Sequence, residues 1–116
     1  MADQMSKLKT VSIFGIVFVA SAGATVTCAQ TVDISRGQQR AEVCMACHGP
    51  DGSTTASPGI PRLAGQDRDY LIKALTAYRI GVSRTDETMT AMAKPLSDSD
   101  ILNIAAYFSS LPPRKP

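Results

Sequence analysis

The feature that most constrains this chain is the run Cys44-Met45-Ala46-Cys47-His48, which places two thiols and an imidazole within five positions. In a helix, residues at positions i, i+3 and i+4 lie on one face, so these three side chains would point the same way. Two thiols placed in this way can form thioethers with a haem, and the following histidine can ligate its iron. The motif therefore predicts one covalent haem c, attached through Cys44 and Cys47, with His48 as an iron ligand.

Two other uses of a Cys-x-x-Cys pair can be tested against the rest of the sequence. A structural zinc site needs four ligands, but the chain has three cysteines and one histidine in total. A thioredoxin-like redox pair needs a βαβ context, and no segment alternates as a strand would. Neither site can be completed, which favours haem attachment. The single histidine also excludes a second histidine ligand from this chain.

The N-terminal residues are typical of an export signal. The first ten carry two lysines, the next sixteen contain no charge, and small residues lead to Ala29. These are the parts of a secretory signal peptide. We expect cleavage of residues 1–29, which leaves one domain over residues 30–116 in the periplasm without stable membrane insertion. One alternative is a retained anchor, although the apolar stretch is short for crossing a bilayer. The other is a lipoprotein attached through Cys28, although Thr27 is bulky for the position before a lipidated cysteine.

The charge balance and the size of the chain limit its partners and its core. Twelve basic and ten acidic residues give a net charge of +2, without a basic stripe or an acidic tail. This pattern argues against nucleic-acid binding. The chain has no tryptophan, and domains this small often need a staple beyond their own core. A covalent haem would supply one.

The remaining sequence predicts an all-α domain with three main helices and two long loops. The predicted helices cover residues 34–47, 67–80 and 98–111, and the predicted loops cover residues 49–66 and 82–95. Ser35 and Ser97 are the expected N-caps, and Gly81 is the expected C-cap of the second helix. Glycine and proline punctuate the first loop. A loop of this length in a small domain is usually functional, and wrapping a haem would account for it.

The residues alone leave two candidates for the iron ligand opposite His48. Methionine is a known second ligand in electron-transfer haems, where it raises the reduction potential. Met45 lies between the cysteines and cannot reach across the ring, whereas Met89 and Met92 lie in the second predicted loop. If neither ligates the iron, the protein would be an open-site haem sensor or a peroxidase.

Several segments together resemble class I c-type cytochromes. They are Gly37, CMACHG at 44–49, GIPRLAGQ at 59–66, YLIKAL at 70–75, TMTAMAKPLSDSD at 88–100 and IAAYFSSL at 104–111. The chain is most similar to small bacterial single-haem members that resemble one half of the dihaem periplasmic cytochromes. The resemblance implies the class I cytochrome c fold around one covalently bound haem.

The resemblance also implies roles for individual residues. Met89 would be the second iron ligand, because family members place this methionine seven residues before the leucine that is Leu96 here, and Met92 would pack beside it. The carbonyl of Pro61 would accept a hydrogen bond from the His48 ring, which fixes the orientation of that ring.

The resemblance further implies a crossing of two helices and a function. Gly37 would let the first helix cross the last one closely, near residues 105–107. The protein would be an electron carrier and not an enzyme, with redox proteins as its partners. The second interpretation is a dedicated haem subunit in a tight complex with a catalytic oxidoreductase.

Overall fold

The computed structural model describes residues 15–17, 23–24 and 29–115. These residues form four helices: α1 (Ile34–His48), α2 (Arg68–Ile80), α3 (Glu87–Ala93) and α4 (Asp98–Ser110). Over the described residues the fold is all-helical, which confirms the predicted class. The expected export signal, residues 1–29, falls almost entirely outside the described residues. Among the helices described, none combines the length and apolar character that a membrane span requires.

The start of α1 differs from the prediction. Its N-cap is Asp33, whose side chain accepts a hydrogen bond from the Arg36 amide at 3.0 Å, and Ser35 lies inside the first turn. A carboxylate at this position satisfies a free amide and also suits the positive end of the helix dipole. The prediction of Ser35 as the N-cap was therefore wrong by two residues.

The second predicted loop contains a helix, α3, so the domain has four helices where three were expected. Asp86 caps α3 by accepting the Met89 amide at 2.8 Å. Seven residues are too few for a helix that is stable alone, and α3 packs against α2. We therefore attribute the helical conformation of this segment, which was predicted as a loop, to its packing on α2.

The other helix ends agree with the sequence. Gly81 ends α2 in the left-handed conformation, with φ 72° and ψ 24°. Ser97 caps α4 in a reciprocal capping box with Asp100. Residues 49–66 are irregular, as predicted.

The close crossing of α1 and α4 forms the centre of the domain. A Cβ atom added at Gly37 would lie 2.6 Å from the Asn103 carbonyl carbon and 3.0 Å from the Tyr107 Cβ. It would lie even closer to the Asn103 carbonyl oxygen. One turn along α1, Ala41 is fully buried, as is Ala105 on α4. The closest approach includes Tyr107, as expected, but it extends one turn earlier than predicted, to Asn103. The core cluster around this crossing comprises Ala41, Leu71, Ile104, Ala105, Tyr107 and Phe108.

Candidate haem-attachment site

The last turn of α1 presents the two thiols and the imidazole together. Cys44 is half-buried, Cys47 is exposed, and neither forms a disulfide. Burial raises the pKa of the Cys44 thiol above its ordinary value, so a free thiol there is neutral. The helix places these sulfur atoms on the side that also carries His48, as the spacing predicts.

Gly49 ends α1 and turns the chain away from the site. Its φ of 90° lies in the region that favours glycine. A Cβ here would also lie 2.7 Å from the carbonyl carbon of Thr54. The residue after His48 must therefore be a glycine if the following loop is to fold back over the end of α1.

His48 is buried, with 4% of its surface exposed, and its ring is held by one contact. Its Nδ1 lies 2.7 Å from the carbonyl oxygen of Pro61. A carbonyl oxygen can only accept, so this geometry places the proton on Nδ1 and leaves the lone pair on Nε2. Histidine ligands of metals are commonly oriented by such a bond from the second ring nitrogen. The contact that the resemblance implied is thus present.

The loop of residues 49–66 is held in shape mainly by backbone hydrogen bonds. The Ala56 amide donates to the Cys47 carbonyl at 2.8 Å, and the Leu63 amide donates to Gly52 at 2.8 Å. The Gly65 amide reaches α4, where it donates to the Phe108 carbonyl at 3.0 Å. These main-chain bonds hold the loop that carries the Pro61 carbonyl against the end of α1 and against α4.

Both candidate methionine ligands lie on α3. Met89 is half-buried, whereas Met92 is 47% exposed. α3 packs on α2 and makes no contact with α1. The structure therefore brings Cys44, Cys47 and His48 together with Pro61, and keeps the two methionines on a separate element.

The donor set fits a haem and not a bare metal ion. In the part of the chain that the structure describes, no group of three or more histidine, cysteine or acidic side chains could hold an ion. One buried imidazole with an oriented Nε2, beside two thiols at one helix end, matches covalent haem attachment.

Two residues that make several side-chain contacts, one in the loop after His48 and one after α2, were missed by the sequence analysis. Asp51 accepts the amides of Ser53 and Thr54 at 2.8 and 2.6 Å and also the Thr54 hydroxyl, and these bonds lower its pKa to about 2. The run of turn-forming residues Asp-Gly-Ser could have indicated that turn. The guanidinium of Arg84 contacts two tyrosine rings of α2, and no local pattern signals it.

Comparison with known proteins identifies the family. A profile of the family described as cytochrome c matches residues 34–112. Curated cytochromes c4 from four bacteria are 42% to 47% identical to the chain, which spans about two-fifths of their length. Cytochrome c-554(548) of Halomonas halodenitrificans is 45% identical over 80 residues, which cover 67% of this chain and 95% of that protein.

Solved structures show the same fold. The crystal structure of reduced cytochrome c4 from Pseudomonas stutzeri matches with a TM-score of 0.67 and 42% identity, over 72% of this chain and 48% of that one. Thiosulfate dehydrogenase from Marichromatium purpuratum matches with a TM-score of 0.64 and 31% identity, over 72% of this chain and 20% of that one.

The expected class I cytochrome c fold is thus confirmed. The profile match over residues 34–112 and the match to nearly all of a short relative agree with the site geometry. The chain therefore belongs to the cytochrome c family, which implies a covalently bound haem c.

Proposed function

We propose that this protein transfers single electrons in the periplasm, with His48 and Met89 as the two ligands of its iron. The observation that carries this proposal is the 2.7 Å contact from His48 Nδ1 to the Pro61 carbonyl. It leaves the Nε2 lone pair in a fixed position to ligate iron, on the part of α1 that also carries both thiols. When bound, the haem supplies an iron that alternates between its ferric and ferrous forms.

The protein's own contribution is to hold the ligands still. The His48 ring is fixed by a backbone carbonyl and by burial, so its position need not change with the charge at the metal. Because the acceptor is main chain, no side-chain substitution at Pro61 removes it. The Met89 thioether would be the second ligand, and a soft sulfur donor favours the reduced iron. Small rearrangement between the two oxidation states favours rapid electron transfer.

The ligand assignment is tested by absorption spectroscopy of the purified holoprotein. Ferric haem with a methionine ligand has a weak absorption band at the red end of the visible spectrum. We expect the wild type to show it, Met89→Ala to lose it, and Met92→Ala to keep it. Met92 is the matched control, because it is the same residue type on the same short helix, three positions along.

Two results would contradict the assignment. Loss of the band in Met92→Ala alone would transfer the ligand role to Met92. Its absence from the wild type would refute methionine ligation and would favour the open-site sensor or peroxidase.

The periplasmic location rests on residues 1–29. Expression of the full chain in a Gram-negative host with the machinery for haem attachment, followed by osmotic release of the periplasm, tests it. We expect the haem protein in the periplasmic fraction with its N-terminus at Gln30. Recovery with the membranes would support the retained anchor.

A second candidate function is a haem subunit within an oxidoreductase complex. The observation that favours it is the structural match to thiosulfate dehydrogenase at 31% identity. Affinity purification of the tagged protein from its native host separates the two functions. A stoichiometric redox partner that stays bound through gel filtration supports the subunit, whereas recovery of the cytochrome alone supports the diffusible carrier.

A further inference from the structure

The segment that carries Met89, residues 82–97, is tied at its start by one arginine. The guanidinium carbon of Arg84 lies 5.6 Å from the ring centre of Tyr70 and 5.3 Å from that of Tyr78. Its nitrogens also donate to both phenol oxygens, at 3.2 Å for Tyr70 and 3.4 Å for Tyr78. Both tyrosines belong to α2. Two cation–π contacts and two hydrogen bonds therefore join the start of the segment to α2.

A second arginine ties the end of the same segment. Arg79, also on α2, donates through Nη1 to the Leu96 carbonyl at 3.0 Å and through Nη2 to Asp98 at 2.6 Å. Leu96 follows α3, and Asp98 begins α4. A planar guanidinium with donors in a fixed fork suits this double contact. The chain is thus joined to α2 both before α3, through Arg84, and after α3, through the bonds that Arg79 makes.

Between these two anchors, α3 packs on α2 but buries only one side chain. It has seven residues, and Ala93 is its one buried residue. Met92 is half-exposed and Met89 is only partly buried. A helix this short, with one small side chain in the core, depends on its flanking contacts for its position.

We propose that Arg84 and Arg79 are positioning residues that hold α3, and with it the Met89 sulfur, at a fixed place on α2. This inference rests on the proposed ligation by Met89. Loosening either arginine contact lets α3 move from α2. With haem bound, Met89 would then be held less firmly as a ligand, and the iron would bind an external ligand more readily.

The experiment compares Arg84→Gln and Arg79→Gln with Arg40→Gln in the holoprotein. Arg40 is the matched control, because its two bonds to Asp100, at 3.0 and 3.2 Å, join α1 to α4 and touch neither α2 nor α3. The first measurement is hydrogen exchange of the Thr90 and Lys94 amides, which donate to the Asp86 and Thr90 carbonyls and so report on the two ends of α3. The second is the affinity of the ferric protein for imidazole.

We expect Arg84→Gln and Arg79→Gln to raise the α3 exchange rates and the imidazole affinity roughly tenfold, the scale of two to four weak contacts. Arg84→Lys should recover part of the wild-type behaviour, because it keeps the cation but not the fork of donors. Arg40→Gln should leave both quantities unchanged.

The outcomes separate this inference from the ligand assignment. Unchanged α3 exchange in both variants, or an equal rise in Arg40→Gln, overturns the positioning role. Faster exchange with unchanged imidazole binding overturns its link to ligation. Exchange at α3 does not depend on which residue binds the iron, so a failure of Met89→Ala to remove the red band would refute the ligand assignment alone.

Discussion

Gly37→Ala tests the claim that the α1–α4 crossing organises this domain. The added methyl would lie 2.6 Å from the Asn103 carbonyl carbon and 3.0 Å from the Tyr107 Cβ. These are main-chain and Cβ atoms, which cannot rotate away as the tip of a long side chain can. The two helices would have to separate, and the buried contact of Ala41 with the core cluster would open.

The magnitude follows from two opposing terms. Alanine is favoured over glycine inside a helix by about 1 kcal/mol. Overpacking a well-packed core costs about 1–3 kcal/mol, and an obstacle made of main-chain atoms belongs at or above the upper end of that range. We therefore expect a net loss of about 2 kcal/mol in the free energy of unfolding. For a domain of this size, that loss lowers the melting temperature by roughly 8–16 °C.

The assay is urea denaturation of the ferric holoprotein, followed by far-ultraviolet circular dichroism. Gly59→Ala is the control, because a Cβ at Gly59 would meet nothing within 4 Å. We expect a lower midpoint for Gly37→Ala and an unchanged midpoint for Gly59→Ala, with equal slopes. Equal midpoints for Gly37→Ala and the wild type would refute the argument, since they would mean that the crossing can widen without cost.

Three further predictions concern stability. Hydrogen bonds lower the pKa of Asp51 from 3.8 to about 2, so its stabilising contribution is complete above pH 3.8 and is lost as the pH falls through about 2. Asp51→Asn should therefore weaken the fall of the melting temperature between pH 4 and pH 2. An unchanged dependence of the melting temperature on pH would contradict this. Asn103 is buried and accepts the Asp33 amide at 2.8 Å, so Asn103→Ala should cost about 1–2 kcal/mol in urea denaturation; a loss below about 0.5 kcal/mol would refute this role. Ser97→Ala removes half of the capping box and should lower the free energy of unfolding by about 1 kcal/mol in the same assay. Ser99→Ala, at the second residue of α4, should lower it by less.

Sequence reasoning succeeded where a local rule decides the structure. The spacing of Cys44, Cys47 and His48 places them on one turn of α1 in any helical fold. Ser97 followed by Asp100 marks a helix start, and a glycine after an amphipathic stretch marks a helix end, as Gly81 does. These signals depend on hydrogen bonds within a few residues, so they hold whatever the rest of the chain does.

The missed features depend on packing between neighbouring elements. α3 is helical because it packs on α2, and its short run of threonines, alanines and methionines carries no strong periodicity. Asp86 followed by Glu87 is nonetheless a helix-start signal that the sequence analysis overlooked. Arg84 lies 6 and 14 positions after Tyr78 and Tyr70, and its contacts with them follow from the return of the chain across α2, which no helical or strand spacing describes.

The α1–α4 crossing also has a consequence for how the chain folds. Asp33 and Asn103, which are joined by a hydrogen bond at this crossing, are 70 positions apart in sequence. A contact between such distant residues must wait for the loss of chain entropy on closing the intervening loop. Helix α1 therefore has no main packing partner until the chain closes and brings α4 against it. Until that contact forms, both thiols at the end of α1 lie on a segment that is not packed against the rest of the domain. In that state the Cys44 thiol, which is half-buried in the folded protein, is as accessible to haem attachment as the Cys47 thiol.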